Sequence, residues 1–101
     1  GVQRVEVEPL GDDSVVLAFK VTHDRQRGPL AFLRVYSGEL QARSALYNSS
    51  GMGVERPLQV LQVEAGELRS VGSVGTGQIA AVTGLTNTKT GDTLTGGGGM
   101  G

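Results

Sequence analysis

Few stretches of this chain have the composition of a chemical site, and each can be tested against what its chemistry requires. Gly75-Thr76-Gly77-Gln78-Ile79-Ala80 fits the loose dinucleotide pattern G-x-G-x-x-A. That pattern works when it follows a strand and opens a helix, because the helix N-terminus then meets the pyrophosphate. Here it opens a Val/Ala run flanked by Gly, so no dinucleotide site is predicted. No G-x-x-x-x-G-K-[ST] occurs, which removes the usual phosphate cradle for a nucleoside triphosphate. His23 is the only histidine and sits in a charged loop. With no second imidazole or paired carboxylate to complete a metal site, a solvated side chain is predicted there. Asp12 and Asp13 are adjacent, and neighbours on a strand face opposite ways, so they do not make a catalytic dyad. Ser37, Ser44, Ser49 and Ser50 have no base partner other than His23, and no G-x-S-x-G elbow occurs. Asn48-Ser49-Ser50 matches the N-glycosylation pattern, but turn chemistry accounts for it. The sequence therefore predicts no catalytic residue, no cofactor-binding residue and no metal ligand.

Charge is the remaining signal. The formal net charge of −1 excludes a strongly basic nucleic-acid binder and an acidic disordered tail. Its distribution is uneven. Lys20, Arg25, Arg27, Arg34 and Arg43 face only Asp24 and Glu39 over the same span, whereas the rest of the chain is acidic. Arg25 and Arg27 share one loop. They are either a solvated hairpin tip paired with Asp24, or a phosphate contact, because guanidinium forks match phosphate oxygens and gain from counterion release. Arg34 lies on a strand whose other face is apolar, so it points to solvent or reaches a partner.

The elements that would position these residues are strands. Val15, Leu17, Phe19 and Val21 alternate with Val16, Ala18, Lys20 and Thr22, the period of a half-buried strand. His23 to Pro29 interrupts as a polar loop. Ala31, Leu33 and Val35 then alternate with Leu30, Phe32, Arg34 and Tyr36, and the two runs suit an antiparallel hairpin. Leu40 to Asn48 reads as a weaker strand pair broken at Arg43-Ser44, and Asn48 to Gly53 as a second hairpin turn. Glu55 to Glu64 reads as one strand with a bulge. Residues 65–77 are ambiguous: Glu64 to Arg69 could form a helical turn, but Gly66, Gly72, Gly75 and Gly77 oppose a longer helix at ~1 kcal/mol each relative to Ala. Ile79 to Val82 is a short, wholly apolar, central strand. Thr83 to Leu94 holds two Gly-bounded turns rich in Thr, Asn and Asp, the closing turns of an all-β module.

A chain of 101 residues makes one domain. With two Phe, two Tyr and no Trp, its core must come from Val, Leu, Ile and Ala, and its 17 Gly favour short strands and turns. The expected division is a linker or edge strand over 1–14, a barrel over 15–95 and a Gly-rich tail over 96–101. Zero cysteines fit a reducing compartment. No apolar run approaches the ~18–20 residues of a membrane helix, so no membrane partner is expected. No signal or transit peptide opens the chain, and both ends read as cut points in a longer protein.

Asp24 to Gly38, with its F-x-R-V-Y-S-G-like strand and turn, resembles the second domain of elongation-factor-G-type translational GTPases. Tyr47-Asn48 resembles the V-Y-N-like strand end of that family. Gly77 to Leu85 is similar to its G-D-I-x-A-V-x-G-L segment, and Thr90-Gly91-Asp92-Thr93-Leu94 to its T-G-D-T-L. The likeness spans residues 15 to 94. Gln78 replaces the usual Asp, and Val63-Glu64-Ala65-Gly66 replaces a more basic stretch. His23 to Leu30 resembles the second mitochondrial branch of the family, associated with ribosome recycling.

The resemblance implies an all-β fold, a six-stranded antiparallel closed β-barrel. It implies a monomeric, non-catalytic module that packs on the GTPase domain of the same chain and contacts small-subunit ribosomal RNA. GTP and Mg would be held by that other domain. Lys20, Arg25, Arg27, Arg34 and Arg56 become the candidates for RNA contact, and Gly28, Gly38, Gly84, Gly91 and Asp92 become structural turn residues. A role in recycling or translocation follows, in the mitochondrial matrix or, alternatively, the bacterial cytoplasm. A competing reading is a general protein-interaction barrel without RNA contact.

Overall fold

The computed structural model of the chain describes residues 14–50 and 53–96. These form ten strands: β1 (Val15–Asp24), β2 (Gly28–Ser37), β3 (Glu39–Gln41), β4 (Leu46–Asn48), β5 (Gly53–Glu55), β6 (Val60–Glu64), β7 (Glu67–Val71), β8 (Ser73–Gly75), β9 (Ile79–Thr83) and β10 (Thr93–Gly96). The described residues contain no helix, and so none long and apolar enough to cross a membrane. Eight strands pair antiparallel in the order β5-β4-β10-β1-β2-β9-β6-β7, and β3 pairs with β8. The linker expected over 1–14 and the tail expected over 96–101 lie outside the described residues except for Ser14 and Gly96.

Where the six strands of a closed barrel are expected, the described residues form ten. No ladder joins β5 to β7 among the described residues, so closure is not made by hydrogen bonds there. The core nevertheless gathers from the whole ladder. Val16, Leu33, Val35, Leu40, Leu46, Val60, Val74, Val82 and Leu94 form one buried cluster. Leu46 on β4 and Val60 on β6 stand near opposite ends of the sheet order, so the sheet curls until its two ends share an interior. Burying each such Leu or Val is worth ~1.5–3 kcal/mol.

On β2 the alternation reads directly: Ala31, Leu33 and Val35 are buried in that cluster. On β1 it does not hold throughout. Val16 and Ala18 are the buried residues of its first half, while Phe19 is 39% exposed. The cause is a bulge: Ala18 pairs with Leu33 and Lys20 with Phe32, leaving Phe19 as the extra residue. The inserted residue shifts the phase, so Val21 opposite Ala31 packs on the same core. The apolar run at β9 has a simple origin. Ala80 and Val82 join the main cluster, and Ala81 joins a second one with Leu30 and Leu61 on the opposite face. A strand covered on both faces has no need of polar alternation.

Two further expectations are corrected. Glu55 to Glu64 is not one bulged strand but β5 and β6, separated at Arg56–Gln59. Pro57 has no N–H to give a ladder. The Leu58 amide leaves the strand direction to donate to the Thr83 carbonyl at 2.9 Å. The possible helical turn at Glu64 to Arg69 is the tight connection of the β6–β7 hairpin. Ala65 and Gly66 both take positive φ, 51° and 80°, as mirror-image two-residue hairpin turns require.

Candidate nucleic-acid interface

The β1–β2 hairpin builds the cationic tip. Its ladder extends to the Asp24–Gly28 pair, so only Arg25, Gln26 and Arg27 turn the corner, fewer than the seven-residue loop expected. The Asp24 carboxylate organises this turn by accepting from the Gln26 amide at 3.0 Å and the Arg27 amide at 2.8 Å. Those two amides, Arg27 first, hold the Asp24 pKa below the ordinary carboxylate value, with a smaller contribution from the Arg27 charge. The Arg27 guanidinium lies 3.7 Å from the same carboxylate. Arg25 makes no ion pair or hydrogen bond among the described residues and is exposed. The turn thus carries an exposed Arg25 beside an Arg27 paired with the carboxylate that fixes the backbone, two guanidinium groups able to receive phosphate oxygens.

The other candidate cations are dispersed. Lys20 lies on the same hairpin with its Nζ 5.0 Å from the centroid of the Phe32 ring, a cation–π contact that holds the amine against the sheet. Arg34 is exposed on β2 between Leu17 of β1 and Ile79 of β9, in the half of the strand away from the tip. Arg56 donates from Nη1 to the Arg43 carbonyl at 3.1 Å, so it fastens the β3–β4 connection. The structure therefore places Arg25 and Arg27 in one three-residue turn, Lys20 further along the same hairpin and Arg34 in its other half, while Arg56 is bonded to Arg43.

Beside the tip is an open cleft of about 470 Å³, walled by Arg27 and Pro29 on one side and by Leu58, Gln59, Gly84 and Thr86 on the other. Sequence reasoning missed Leu58, Gln59 and Thr86, which carry no motif. They reach the tip because the 57–59 strap is bonded to the end of β9. Gln59 donates its amide to Thr83 Oγ1 at 3.1 Å. The approach is close: a Cβ on Gly84 would come within 2.8 Å of Leu58 Cγ, and Gly84 has φ of 92°. Only glycine meets both conditions there.

The turn residues named from the sequence have distinct roles. Gly28, Gly38 and Gly91 also take positive φ. Asp92 accepts from Asn48 Nδ2 at 3.0 Å and from the Lys89 amide at 2.9 Å. Those bonds, the Asn48 side chain first, lower its pKa. Asn48 is wholly buried, and its Oδ1 accepts from the amide and the hydroxyl of Ser50, the turn chemistry that its motif suggested.

The family described as elongation factor G domain 2 matches residues 14–97. The mitochondrial ribosome-releasing factor 2 of Pongo abelii is 45% identical over 83 residues, covering 82% of this chain and 11% of that protein. The protein of the same name from Danio rerio is 42% identical over 83 residues, with the same coverage. That from Emericella nidulans is 46% identical over 78 residues, 77% of this chain and 8% of its own length. The chain thus spans about a tenth of the length of these curated relatives. Among solved structures, GDP-bound aIF5B from Aeropyrum pernix superposes with a TM-score of 0.69 at 14% identity, over 88% of this chain and 17% of that one. At that identity the likeness is one of fold alone. With 84 of its 101 residues matched by one family, this chain belongs to the elongation factor G domain 2 family.

Proposed function

We propose that the chain is the non-catalytic barrel domain of a mitochondrial, ribosome-acting GTPase of the elongation factor G type, with a part in ribosome release. It packs on the GTPase domain of the same polypeptide and touches small-subunit ribosomal RNA through the β1–β2 tip. The relatives named mitochondrial ribosome-releasing factor 2 support the compartment and the process. The shared interior of β4 and β6 supports a barrel whose wall closes by packing. GTP and Mg²⁺ belong to another part of the parent. The residues here do not fit them, since the sequence has no phosphate loop and the described residues hold no cluster of metal-ligating side chains.

The observation that carries the RNA contact is the tip itself: Arg25 and Arg27 exposed on a turn that Asp24 fixes. RNA binding by a nearly neutral domain needs such a local basic edge. The test is the full-length protein carrying R25E and R27E, with binding to small ribosomal subunits measured across salt concentrations. Binding weakens, and the slope of log affinity against log salt shallows by about one per lost phosphate contact. Unchanged affinity and slope would remove RNA contact from this tip.

A further inference from the structure

Among the exposed apolar side chains, Tyr36, Tyr47 and Val54 lie on strands towards the base of the β1–β2 hairpin, where the Gly96 amide bonds the Ser14 carbonyl at 2.8 Å. Leu58 is different. It is 58% exposed on the strap that walls the cleft beside the tip, and it is held there. Its amide donates to the Thr83 carbonyl at 2.9 Å, and the Thr83 amide donates to the Gln59 carbonyl at 3.2 Å. Thr83 is itself paired with Leu30 of β2, so this wall is fixed to the hairpin. Thr86, on the same side, precedes Asn87 and Thr88, whose amide and hydroxyl donate to the buried Glu55 carboxylate. Walls already in place spare a ligand the cost of ordering them.

The lining says what such a ligand is. At about 470 Å³ the cleft has the size of a small-ligand site, ~300–1,000 Å³. Pro29 and Leu58 give it aliphatic faces, and no carboxylate lines it. Arg27 belongs to both places, as a wall of the cleft and as a guanidinium of the tip. The side-chain amides of Gln26 and Gln59, exposed at the cleft, bond nothing among the described residues. Aliphatic faces, a guanidinium plane and uncommitted amides together complement a flat base with its own phosphate. A base within a helix is covered by its neighbours, so only an unpaired nucleotide can offer one.

We propose that the cleft between Arg27, Pro29 and Leu58, Gln59 receives the base of an unpaired RNA nucleotide whose phosphate lies on Arg25 and Arg27. This rests on the reading that the tip contacts RNA. It goes further by making the partner an unpaired nucleotide rather than a duplex, and by assigning that preference to Leu58.

Fluorescence anisotropy of the full-length protein with two labelled RNAs tests it: a duplex with a short single-stranded tail, and the same duplex blunt-ended. The tailed RNA binds about tenfold tighter, the order of one base contact. L58S, with its thermal midpoint as a check on folding, removes that advantage and leaves the blunt duplex bound as before. R25E with R27E weakens the binding of both. Equal binding of the two RNAs, or a tail advantage that survives L58S, would overturn the proposal while leaving the tip contact standing. Equal binding of the two RNAs with L58S-sensitive binding of an alternating Glu-Leu peptide would give the cleft to an acidic protein segment instead. Indifference of both RNAs to the tip variants would count against the RNA contact itself, and against the proposal with it.

Discussion

The two ends of the β1–β2 hairpin are held by different physics. At the tip, Asp24 reaches amides two and three residues away, so the conformation is written into five consecutive residues. At the base, Val15 and Val16 meet β2 on one side and β10 on the other, and β10 in turn meets β4. The lateral ties there are also long in sequence: Asn48 to Asp92, and Glu55 to the Asn87 amide and the Thr88 hydroxyl. Nine residues of strand, about 30 Å at ~3.3 Å per residue, separate the two ends. A locally encoded tip can change its charge without disturbing the core. A base assembled from four strands cannot change one member alone.

The contrast can be broken from its strong side first. L94A removes a wholly buried side chain at the base, and the stability lost in urea unfolding should be about 2–5 kcal/mol. E55A comes next. It leaves the buried Thr88 hydroxyl and the partly buried Asn87 amide without their acceptor, at a cost of about 1–3 kcal/mol by the same measurement.

D92N should cost about 1 kcal/mol at neutral pH, and its sign with pH is fixed. The folded-state pKa of Asp92 is lowered, so its contribution is present above the ordinary value near 4 and fades as pH falls through the folded value. Thermal midpoints recorded from pH 7 down to pH 3 should therefore decline less steeply in D92N than in the parent. The tip gives the smallest response. R25A should leave stability within about 0.5 kcal/mol, the range of ordinary surface changes. Acidification through the lowered Asp24 pKa should reduce the protection of the Gln26 and Arg27 amides, measured against their intrinsic exchange rates at each pH, while the core amides stay protected. A tip change that unfolded the base would show that the two ends are not independent.

What the sequence made legible follows the same division. The hairpin and the buried face of β2 could be read because two clean alternating runs flank a polar turn. The ambiguous stretch at 65–77 resisted because Ala65 sits at positive φ, a place where Asn or Asp would have signalled the turn. The inner face of β1 could not be read because a bulge at Phe19 shifts the phase midway, and a bulge leaves no mark in a period-two pattern. Of the candidate cations, only proximity in sequence separated Arg25 and Arg27 from Arg56, whose guanidinium is spent on the Arg43 carbonyl. The cleft beside the tip was hidden because strand order makes it: β2 pairs Leu30 with Thr83 of β9, and the 57–59 strap is bonded to Thr83 in turn.

The bond between Gly96 and Ser14 also says something about how this unit sits in a protein's history. A ribbon that returns to its own starting point is a self-contained loop-out, whose two ends, Ser14 and Gly96, stand one hydrogen bond apart regardless of what the loop holds. Such a unit can be excised, exchanged or elaborated while the remaining scaffold keeps its geometry.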